Sequence, residues 1–436
     1  MSARAERTIE VGRPPYEGET NEVLQRAVDD AAAEGGGTVR LRAGTYLMHD
    51  ALHLRSGVAL VGQGEETVLR MAPAVSSRVA DNLGYGHFEA TVDEPELFRP
   101  GMGVMIRSDS THGFDVTVAT IREIDGKHLF IDRRLNYDYP REKGGRVVSV
   151  HPLVSVRGER NVRVANLKLD GGGEAEILGG CRGGAVYLLQ SHGVTVEDLT
   201  IRNFNGDGVS FQQCTDVVVR GCDVSGMTEN GLHPGSGSVR YMIADNHVHG
   251  CGGMGIFYCL RTTHSLCENN RLVANGRGGI SIGERDTDHI VRQNEIRGNA
   301  WAGIQFREVG CNGGDRVVLE ANRLSGNCAE QDDAEILVPE RIRQVVLQGN
   351  EFCELRGAPL SVGQAADVYV AEGNTVEGEA LGAGQVVDPD GVVEWRPPDA
   401  RLEVGPAYAA EQRAARHLGV ELPAQPPNFS LDAGVR

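Results

Sequence analysis

Glycine returns along the middle of the chain at an almost fixed interval, and this repeat restricts the fold more than any other feature. Six glycines, each followed by an apolar residue, are 23 or 24 residues apart: Gly184, Gly208, Gly231, Gly255, Gly279 and Gly303. A second column precedes the last five of them by nine residues and then continues: Leu199, Cys222, Asn246, Asn270, Asn294, Asn322, Asn350 and Asn374. Two columns with one period predict a repeat array rather than two or three ordinary globular domains.

A repeat of this length has room for three short strands and their turns, and its residues show no helical spacing. We therefore expect one coil of a parallel β-solenoid per repeat, each strand pairing with its counterpart in the next coil about 4.8 Å away. Glycine suits the turn before a strand because it adopts positive φ. Stacked asparagines can bond to one another and to the turn backbone, so the second column predicts an asparagine ladder inside the coil.

The other segments fit around this array. Thr20 is expected to cap a helix over residues 21–34 that closes one end of the solenoid. Residues 75–152 break the period and alternate apolar with polar residues, which predicts a small inserted β module with Asp125-Gly126 as a hairpin turn. The stretch from Gly171 to Gly180 lengthens one coil and predicts a loop over its neighbours.

The predicted organisation is therefore a cap with the first coils (1–74), the inserted module (75–152), the main β-helix (153–387) and a C-terminal extension (388–436). In the extension, residues 407–418 are expected to form a short helix that Gly419 ends.

Charge and cysteine content restrict the possible partners. The formal net charge is −18, from 61 acidic against 43 basic side chains, which repels phosphate backbones and argues against nucleic-acid binding. No apolar run approaches the ~20 residues needed to cross a bilayer, so no membrane partner is expected. The chain starts without the apolar core of a signal peptide, and its nine cysteines show no pairing pattern. A cytoplasmic protein with reduced thiols is the favoured interpretation.

The first coils resemble a known superfamily. The run Gly-Gly-Thr-Val-Arg-Leu-Arg-Ala-Gly-Thr-Tyr at 36–46, then Gly57-Val58 and Gly-Gln-Gly at 62–64, is similar to the opening of pectate-lyase-like proteins. With the later repeats, the resemblance covers roughly residues 20–75 and 153–380. It implies a right-handed parallel β-helix, and activities that are mostly those of polysaccharide lyases, hydrolases and epimerases, with some phage and adhesion proteins.

Side chains on alternate positions after each column glycine should form an outward-facing wall. The second position after each glycine supplies Val186, Ser210, His233, Phe257, Ser281 and Gln305. The wall changes from apolar to small and polar to charged, which indicates a groove rather than a uniform solvated face.

Glu284 and Glu308 occupy the same turn position one coil apart and are the first candidate pair of catalytic carboxylates. Like charges about 5 Å apart separate an acid from a base or nucleophile, and side-chain splay leaves retaining and inverting hydrolysis both open. A surface ladder of Glu and Arg is the alternative. Candidate substrate-binding residues around this pair are Arg307, Gln305, Arg285, Trp301 and Tyr258, the last at an inward position that also suits core packing.

Asp207 and Glu229, just before two column glycines, are the second candidate pair, with His233 beside them as an exposed acid or base. A turn role for Asp207 and a plain surface role for His233 are the alternatives. Asn205-Gly206-Asp207-Gly208 is similar to the first motif of polygalacturonases, and Glu229 and Arg307 correspond loosely to two others. The second aspartate and the histidine of that pattern are replaced here by Asn230 and Met254.

The leading hypothesis is a glycoside hydrolase acting on a poly- or oligosaccharide. The alternatives are a uronic-acid lyase or epimerase using His233 or a tyrosine as base, and a non-catalytic glycan-binding β-helix protein. No cofactor is expected, although Asp286 and Asp288 offer hard oxygen ligands to a divalent cation such as calcium, where a solvated turn is the alternative. The inserted module might assemble the chain into a dimer or trimer.

Overall fold

The computed structural model describes residues 7–173, 176–307, 313–331 and 333–395. Two compact units divide the chain: Met1–Gln212 with Cys222–His233, and Gln213–Gly221 with Pro234–Arg436. Both are built of parallel strands that stack in register from coil to coil, so the predicted all-β solenoid is confirmed. Glu308 and the helix predicted over residues 407–418 lie outside the described residues.

A helix over Asn21–Ala33 covers an end of the first unit. Its buried face holds Leu24, Ala27, Val28 and Ala31, the predicted apolar stripe, while the N-cap Thr20 makes no side-chain capping bond. Gln25 fixes the helix to the coil, because its amide accepts from the His53 N–H and donates to the His53 carbonyl, both at 2.9 Å. The apolar end of the solenoid is thereby removed from water.

Three rows of strands build the coils of the first unit. They pair in parallel with their counterparts one coil away, and the glycine column stacks as predicted, since a Cβ on Gly208 would lie 2.5 Å from the Gly231 carbonyl. The strands are Thr8–Val11, Gly37–Leu41, Gly44–Met48, Leu52–His53, Val58–Met71, Val154–Arg157, Arg160–Asp170, Val186–Leu189, His192–Glu197, Thr200–Arg202, Val209–Gln212, Asp223–Ser225 and Leu232–Gly235, of which the first unit includes Leu232 and His233.

A small antiparallel sheet interrupts these coils, as the loss of the repeat predicted. Its strands are Ser76–Arg78, Glu89–Thr91, Gly103–Arg107, Thr117–Asp125, His128–Ile131 and Arg146–Val148, and short 3₁₀ turns occupy Pro95–Leu97, Gly113–Asp115 and Arg141–Lys143. The hairpin turn consists of Gly126 and Lys127, with Asp125 as the last strand residue. The sheet encloses its own apolar cluster, which includes Val79, Ile106 and Leu129. The domain boundaries stay a prediction.

The second unit repeats the three rows with little interruption. The rows contain Thr215–Arg220, Val239–Ala244, Thr263–Glu268, Thr287–Arg292, Val317–Glu320, Val345–Gln348, Val368–Val370 and Val393–Trp395; His247–His249, Arg271–Val273, Glu295–Arg297, Arg323–Ser325, Glu351–Cys353 and Thr375–Val376; and Ile256–Phe257, Ile280–Ile282, Ile304–Phe306, Ala334–Val338, Ala358–Val362 and Val386–Val387. Glu379–Ala380 pairs antiparallel with Thr375–Val376, and a 3₁₀ turn follows at Ala383–Gln385.

The predicted asparagine ladder runs inside the second unit. Asn294 is typical: its Oδ1 accepts from the backbone N–H and the side-chain amide of Asn270 at 2.9 and 3.0 Å, and its own amide donates to Asn322 Oδ1 and the Cys267 carbonyl. All six asparagines from Asn246 to Asn374 are nearly or fully buried. Each amide therefore satisfies backbone groups that would otherwise be buried without a partner.

A second ladder, which the sequence analysis missed, runs one turn further along each coil. Asn275, Asn299 and Asn327 bond to one another in the same pattern, and Glu335 takes the next place by accepting from the Asn327 amide at 2.5 Å. Burial raises the pKa of this Glu335 carboxyl. The signal was in the sequence as a third column of asparagines at the same period.

Among the described residues, no helix has the length and apolar character that crossing a membrane would require.

We expect Asn294→Ala to lower the free energy of unfolding by at least about 2 kcal/mol, since it leaves two Asn270 donors and the Cys267 carbonyl buried without their partner. Urea denaturation of the full chain measures the effect. The control is Gln364→Ala, an exposed position expected to change stability by less than about 0.5 kcal/mol. Equal midpoints for the two variants would contradict an energetic role for the ladder.

Candidate functional site

One face of the first unit forms an outward wall of stacked strands. Ser155 pairs with Tyr187 and Tyr187 with Ser210, so these three side chains follow one another along the wall from coil to coil. Arg157, Leu189 and Gln212 form a second, parallel line two residues further along each strand. Neighbouring members of each line are about 4.8 Å apart, which makes the wall a continuous surface.

The register of this wall differs from the prediction by one residue at its start. Val186 pairs with Val209, a step of 23 residues, so Val186 points into the coil and Tyr187 points outward. The prediction aligned Gly184 with Gly208 and placed Val186 on the wall, which is wrong. A slip of one residue exchanges the two faces of a strand, and Tyr187 was therefore missed.

The inserted stretch at 171–180 forms a loop across this wall, as predicted. The Leu178 N–H donates to the Asn205 carbonyl at 2.9 Å, and the Gly180 carbonyl accepts from Ser210 Oγ at 2.6 Å and from the Gln212 amide at 3.3 Å. Ser210 and Gln212 are consequently buried although they point away from the coil.

Asp207 and His233 meet beneath this loop. The His233 Nδ1 lies 2.5 Å from Asp207 Oδ2, and the other carboxylate oxygen, Oδ1, accepts from the backbone N–H and side-chain amide of Asn230 at 2.8 and 3.2 Å. Asp207 has no exposed surface and His233 is 4% exposed. The carboxylate fixes Nδ1–H as the donor, so Nε2 is the ring atom able to accept a proton.

Two glycines allow the loop to approach the pair this closely. Gly206 has a φ of +151°, and a Cβ there would lie 2.2 Å from the Leu178 carbonyl oxygen. A Cβ on Gly180 would lie 1.8 Å from Asp207 Oδ2 and 2.1 Å from His233 Nδ1. The backbone of Gly180 therefore occupies the space directly against the Asp207–His233 pair.

The predictions for the second candidate pair need revision. His233 lies on the wall as expected, but it is not exposed, because the loop covers it. Asp207 contacts His233 and Asn230, while Glu229 is half-buried on its turn and its backbone N–H donates to the Gly206 carbonyl at 3.1 Å. The structure thus pairs Asp207 with a histidine rather than presenting it as one of two matched catalytic carboxylates.

Ion pairs from the inserted module fasten the loop. Glu176 accepts from Arg146 Nε and Nη2 at 2.5 and 3.0 Å and lies 3.0 Å from Arg107. Arg182, at the other end of the loop, donates twice to the Phe114 carbonyl and lies over the Phe114 ring at 5.8 Å. The module therefore holds the loop over the Asp207–His233 pair.

In the second unit, the first candidate pair is only half visible, because Glu308 lies outside the described residues. Glu284 is 40% exposed at its side chain and is bonded by Arg285 Nη2 at 2.6 Å. Arg285 has positive φ, which places its side chain back against Glu284. These two residues form a local ion pair at a turn.

Arg307 lies flat across the wall of the second unit. Its guanidinium donates to Ser281 Oγ and to the Cys259 carbonyl, both at 2.8 Å, and stacks 4.4 Å from the Phe257 ring centre. A Cβ on Gly283 would lie 2.1 Å from Arg307 Nη2, so the glycine leaves room for the arginine. Its neighbour on the strand, Gln305, pairs with Ser281 and is half-buried.

The two aspartates considered for a cation are engaged by protein donors. Asp286 accepts from the backbone and hydroxyl of Thr262 and from the Gly283 N–H, and burial raises its pKa to about 7 despite the nearby Arg307. Asp288 makes a two-point ion pair with Arg316 at 2.7 Å, which lowers its pKa against the effect of burial. Neither carboxylate is presented to solvent as a cation ligand.

The two aromatic candidates differ in placement. Tyr258 is completely buried and packs on His289 and Tyr241 with ring centres 4.7 and 6.1 Å apart, and burial raises its pKa well above the usual value. It is a core residue and does not line a groove. Trp301 is half-buried, and Arg277 covers its ring at 5.2 Å.

Comparison with known proteins agrees with this fold. The family model described as "Right handed beta helix region" matches residues 184–352, which confirms the handedness and the β-helix type predicted from the resemblance. A search of curated proteins found no match to the sequence.

Solved structures give the same result. The A-module of the Azotobacter vinelandii mannuronan C-5 epimerase AlgE4 is similar, with a TM-score of 0.52, 16% identity, and coverage of 86% of this chain and 93% of that one. The exopolygalacturonase from Thermotoga maritima has a TM-score of 0.48, 13% identity, and coverage of 90% and 91%. The alginate lyase from Paenibacillus sp. str. FPU-7 has a TM-score of 0.47, 14% identity, and coverage of 89% and 99%. At these identities the similarity extends to the fold alone.

We expect Gly180→Ala to displace the loop, since the new Cβ would overlap Asp207 and His233. The free energy of unfolding should fall by about 1–3 kcal/mol, the usual cost of overpacking, and trypsin should cut more readily after Arg182. The matched control is Gly179→Ala, where a Cβ meets nothing within 4 Å. Indistinguishable proteolysis and unfolding of the two variants would contradict the close contact of loop and pair.

Proposed function

We propose that the protein is a carbohydrate-active enzyme in which the Asp207–His233 pair transfers a proton to or from a uronic-acid sugar. The observation that carries the proposal is the 2.5 Å bond between His233 Nδ1 and Asp207 Oδ2 on a wall of the β-helix. An imidazole held by a buried carboxylate has a defined tautomer and a stabilised protonated form, the two properties that a general base needs.

The charges and contacts favour proton abstraction over hydrolysis. Hydrolysis by paired carboxylates needs one to protonate the leaving oxygen and the other to attack or to activate water. Both oxygens of Asp207 already accept hydrogen bonds and the residue has no exposed surface, so it is suited to orient His233 and not to meet a sugar or a water. Hydrolysis by Glu284 and Glu308, the leading hypothesis from the sequence, stays a prediction.

The proposed reaction begins at the sugar C5–H, which is acidic because the carboxylate on C5 can take up the electron pair. His233 Nε2 accepts this proton, and Asp207 stabilises the imidazolium that forms. In elimination, the C4–O bond then breaks, a C4–C5 double bond forms, and the leaving oxygen takes a proton from a general acid or water. In epimerisation, C5 regains a proton on the opposite face. Since the pair is covered, the loop must move aside for a sugar to reach it.

The fold supports the carbohydrate class of substrate. It is shared with a module named as a mannuronan C-5 epimerase, at 16% identity, which is similarity of fold without evidence of the same activity. We extend the proposal to a carbohydrate partner and to no nucleic acid, consistent with the net charge of −18.

We expect His233→Gln to lower kcat by about 10²–10⁴-fold, the usual contribution of a general base. The assay offers a panel of oligouronates and follows both unsaturated product in the ultraviolet and deuterium entering C5 from D₂O. His87→Gln, an exposed histidine in the same unit, is the control and should keep wild-type rates.

Asp207→Asn tests the positioning role separately. It should lower kcat and also shift the basic-form pKa in the pH–rate profile downward, because the imidazolium loses its counter-charge. Thermal unfolding identifies variants that fail to fold. If new reducing ends appear with no unsaturated product or deuterium, and His233→Gln leaves that rate unchanged, the proposal is wrong and carboxylate-catalysed hydrolysis takes its place.

A further inference from the structure

Arg157 lies on the same wall, at the end of the strand Val154–Arg157. Its Nε donates to Ser155 Oγ at 3.2 Å, and its guanidinium lies 4.9 Å from the centre of the Tyr187 ring. Strand pairing leads from this coil to the Tyr187 coil and then to the Ser210 coil. The Arg157 side chain is half-buried and leans along the wall toward the loop-covered site.

This arginine lacks the carboxylate that most arginines of the chain have. Within the described ranges, no carboxylate oxygen lies within 4 Å of Arg157 or of Arg182, whereas Arg146 contacts both Glu176 and Asp109. Acidic side chains outnumber basic ones by 61 to 43, so a half-buried arginine without an ion pair stands out. A charged group in such a place usually has a counter-ion.

Further positive charge surrounds Arg157. Arg133 and Arg182 are close enough to lower its pKa, which burial and these two neighbours together bring to about 10, and the nearby Asp132 only partly offsets them. Arg133 donates to Asp132 at 2.9 and 3.1 Å, which uses that carboxylate, and Arg182 donates to the Phe114 carbonyl, which is neutral. The region thus carries a local excess of positive charge in an acidic protein.

We propose that Arg157, assisted by Arg182, binds an oxyanion of the substrate, the carboxylate of a uronic acid or a sulfate ester, on a sugar neighbouring the one that reacts. This inference rests on the proposed carbohydrate function and assigns the specificity of the same wall. The planar guanidinium offers two parallel N–H donors to a carboxylate or sulfate. Tyr187 beneath it holds the guanidinium in place.

The spacing along the wall decides which sugar is bound. The strand of Arg157 and the strand of His233 are three coil steps apart, or about 14 Å between backbones. Arg157 leans one step toward the pair, over Tyr187, so its anion lies beyond the reach of the sugar at His233. The anion therefore belongs to an adjoining residue of an acidic chain. A site with its own cations also overcomes the repulsion between a polyanion and a protein of charge −18.

The test measures binding without turnover. In the His233→Gln background, calorimetry compares trisaccharides of one length: oligouronates of several sugars, sulfated neutral trisaccharides and their unsulfated counterparts. We expect at least one acidic trisaccharide to bind ten-fold or more tightly than the neutral one. Arg157→Gln should remove this preference, Arg157→Lys should keep part of it, and Arg40→Gln, an exposed arginine of the same unit, should keep all of it.

The outcomes separate this inference from the proposed function. Preference for the uronates or for the sulfated sugars identifies which oxyanion is bound, and either supports the site. Equal binding of acidic and neutral sugars, or a preference that survives in Arg157→Gln with an unchanged melting temperature, overturns it even if His233 proves essential for turnover. Loss of binding to all sugars equally in Arg157→Gln would mean that the arginine only supports Tyr187, which also overturns it.

Discussion

Hydrogen bonds between the strands of successive coils determine which side chains of this protein are neighbours. Residues that share a register position lie about 4.8 Å apart however far apart they are in the chain. Because Ser155 pairs with Tyr187 and Tyr187 with Ser210, a surface is built from segments more than 50 residues apart. Buried asparagine amides reinforce this stacking in the second unit, since each one bonds to the next coil. The positions of Asp207, His233 and Arg157 all follow from this register.

Periodicity made the fold readable from sequence. The asparagine and glycine columns each repeat a local physical need, an amide that satisfies buried backbone and a residue without a Cβ, so they recur at every coil and are visible without a structure. The inserted module was visible as the place where the period stops. What the period could not supply was its own exception: the 23-residue step to Val209 put Tyr187, not Val186, on the wall.

The candidate site was less accessible to sequence reasoning. Asp207 and His233 were identified as neighbours, but their burial was not, because it depends on a loop whose path no repeat specifies. Tyr258 could be placed inward from its alternation, and the structure puts it in the core. Arg157 lies before the glycine column begins, so it had no place in the alignment that selected candidates. Its significance comes from what surrounds it, and charge environment is a property of three dimensions.

The loop over Asp207 and His233 has a consequence for affinity. Ser210 Oγ and the Gln212 amide donate to the Gly180 carbonyl, and these are donors that a sugar hydroxyl would use. The chain therefore acts as an internal competitor for its own ligand, and apparent affinity is reduced by the fraction of molecules in which the loop is closed. The arginines of the module that hold Glu176 set that fraction through charge. Added salt, which weakens partly exposed ion pairs, would thus admit the ligand more readily while loosening the fastening of the loop.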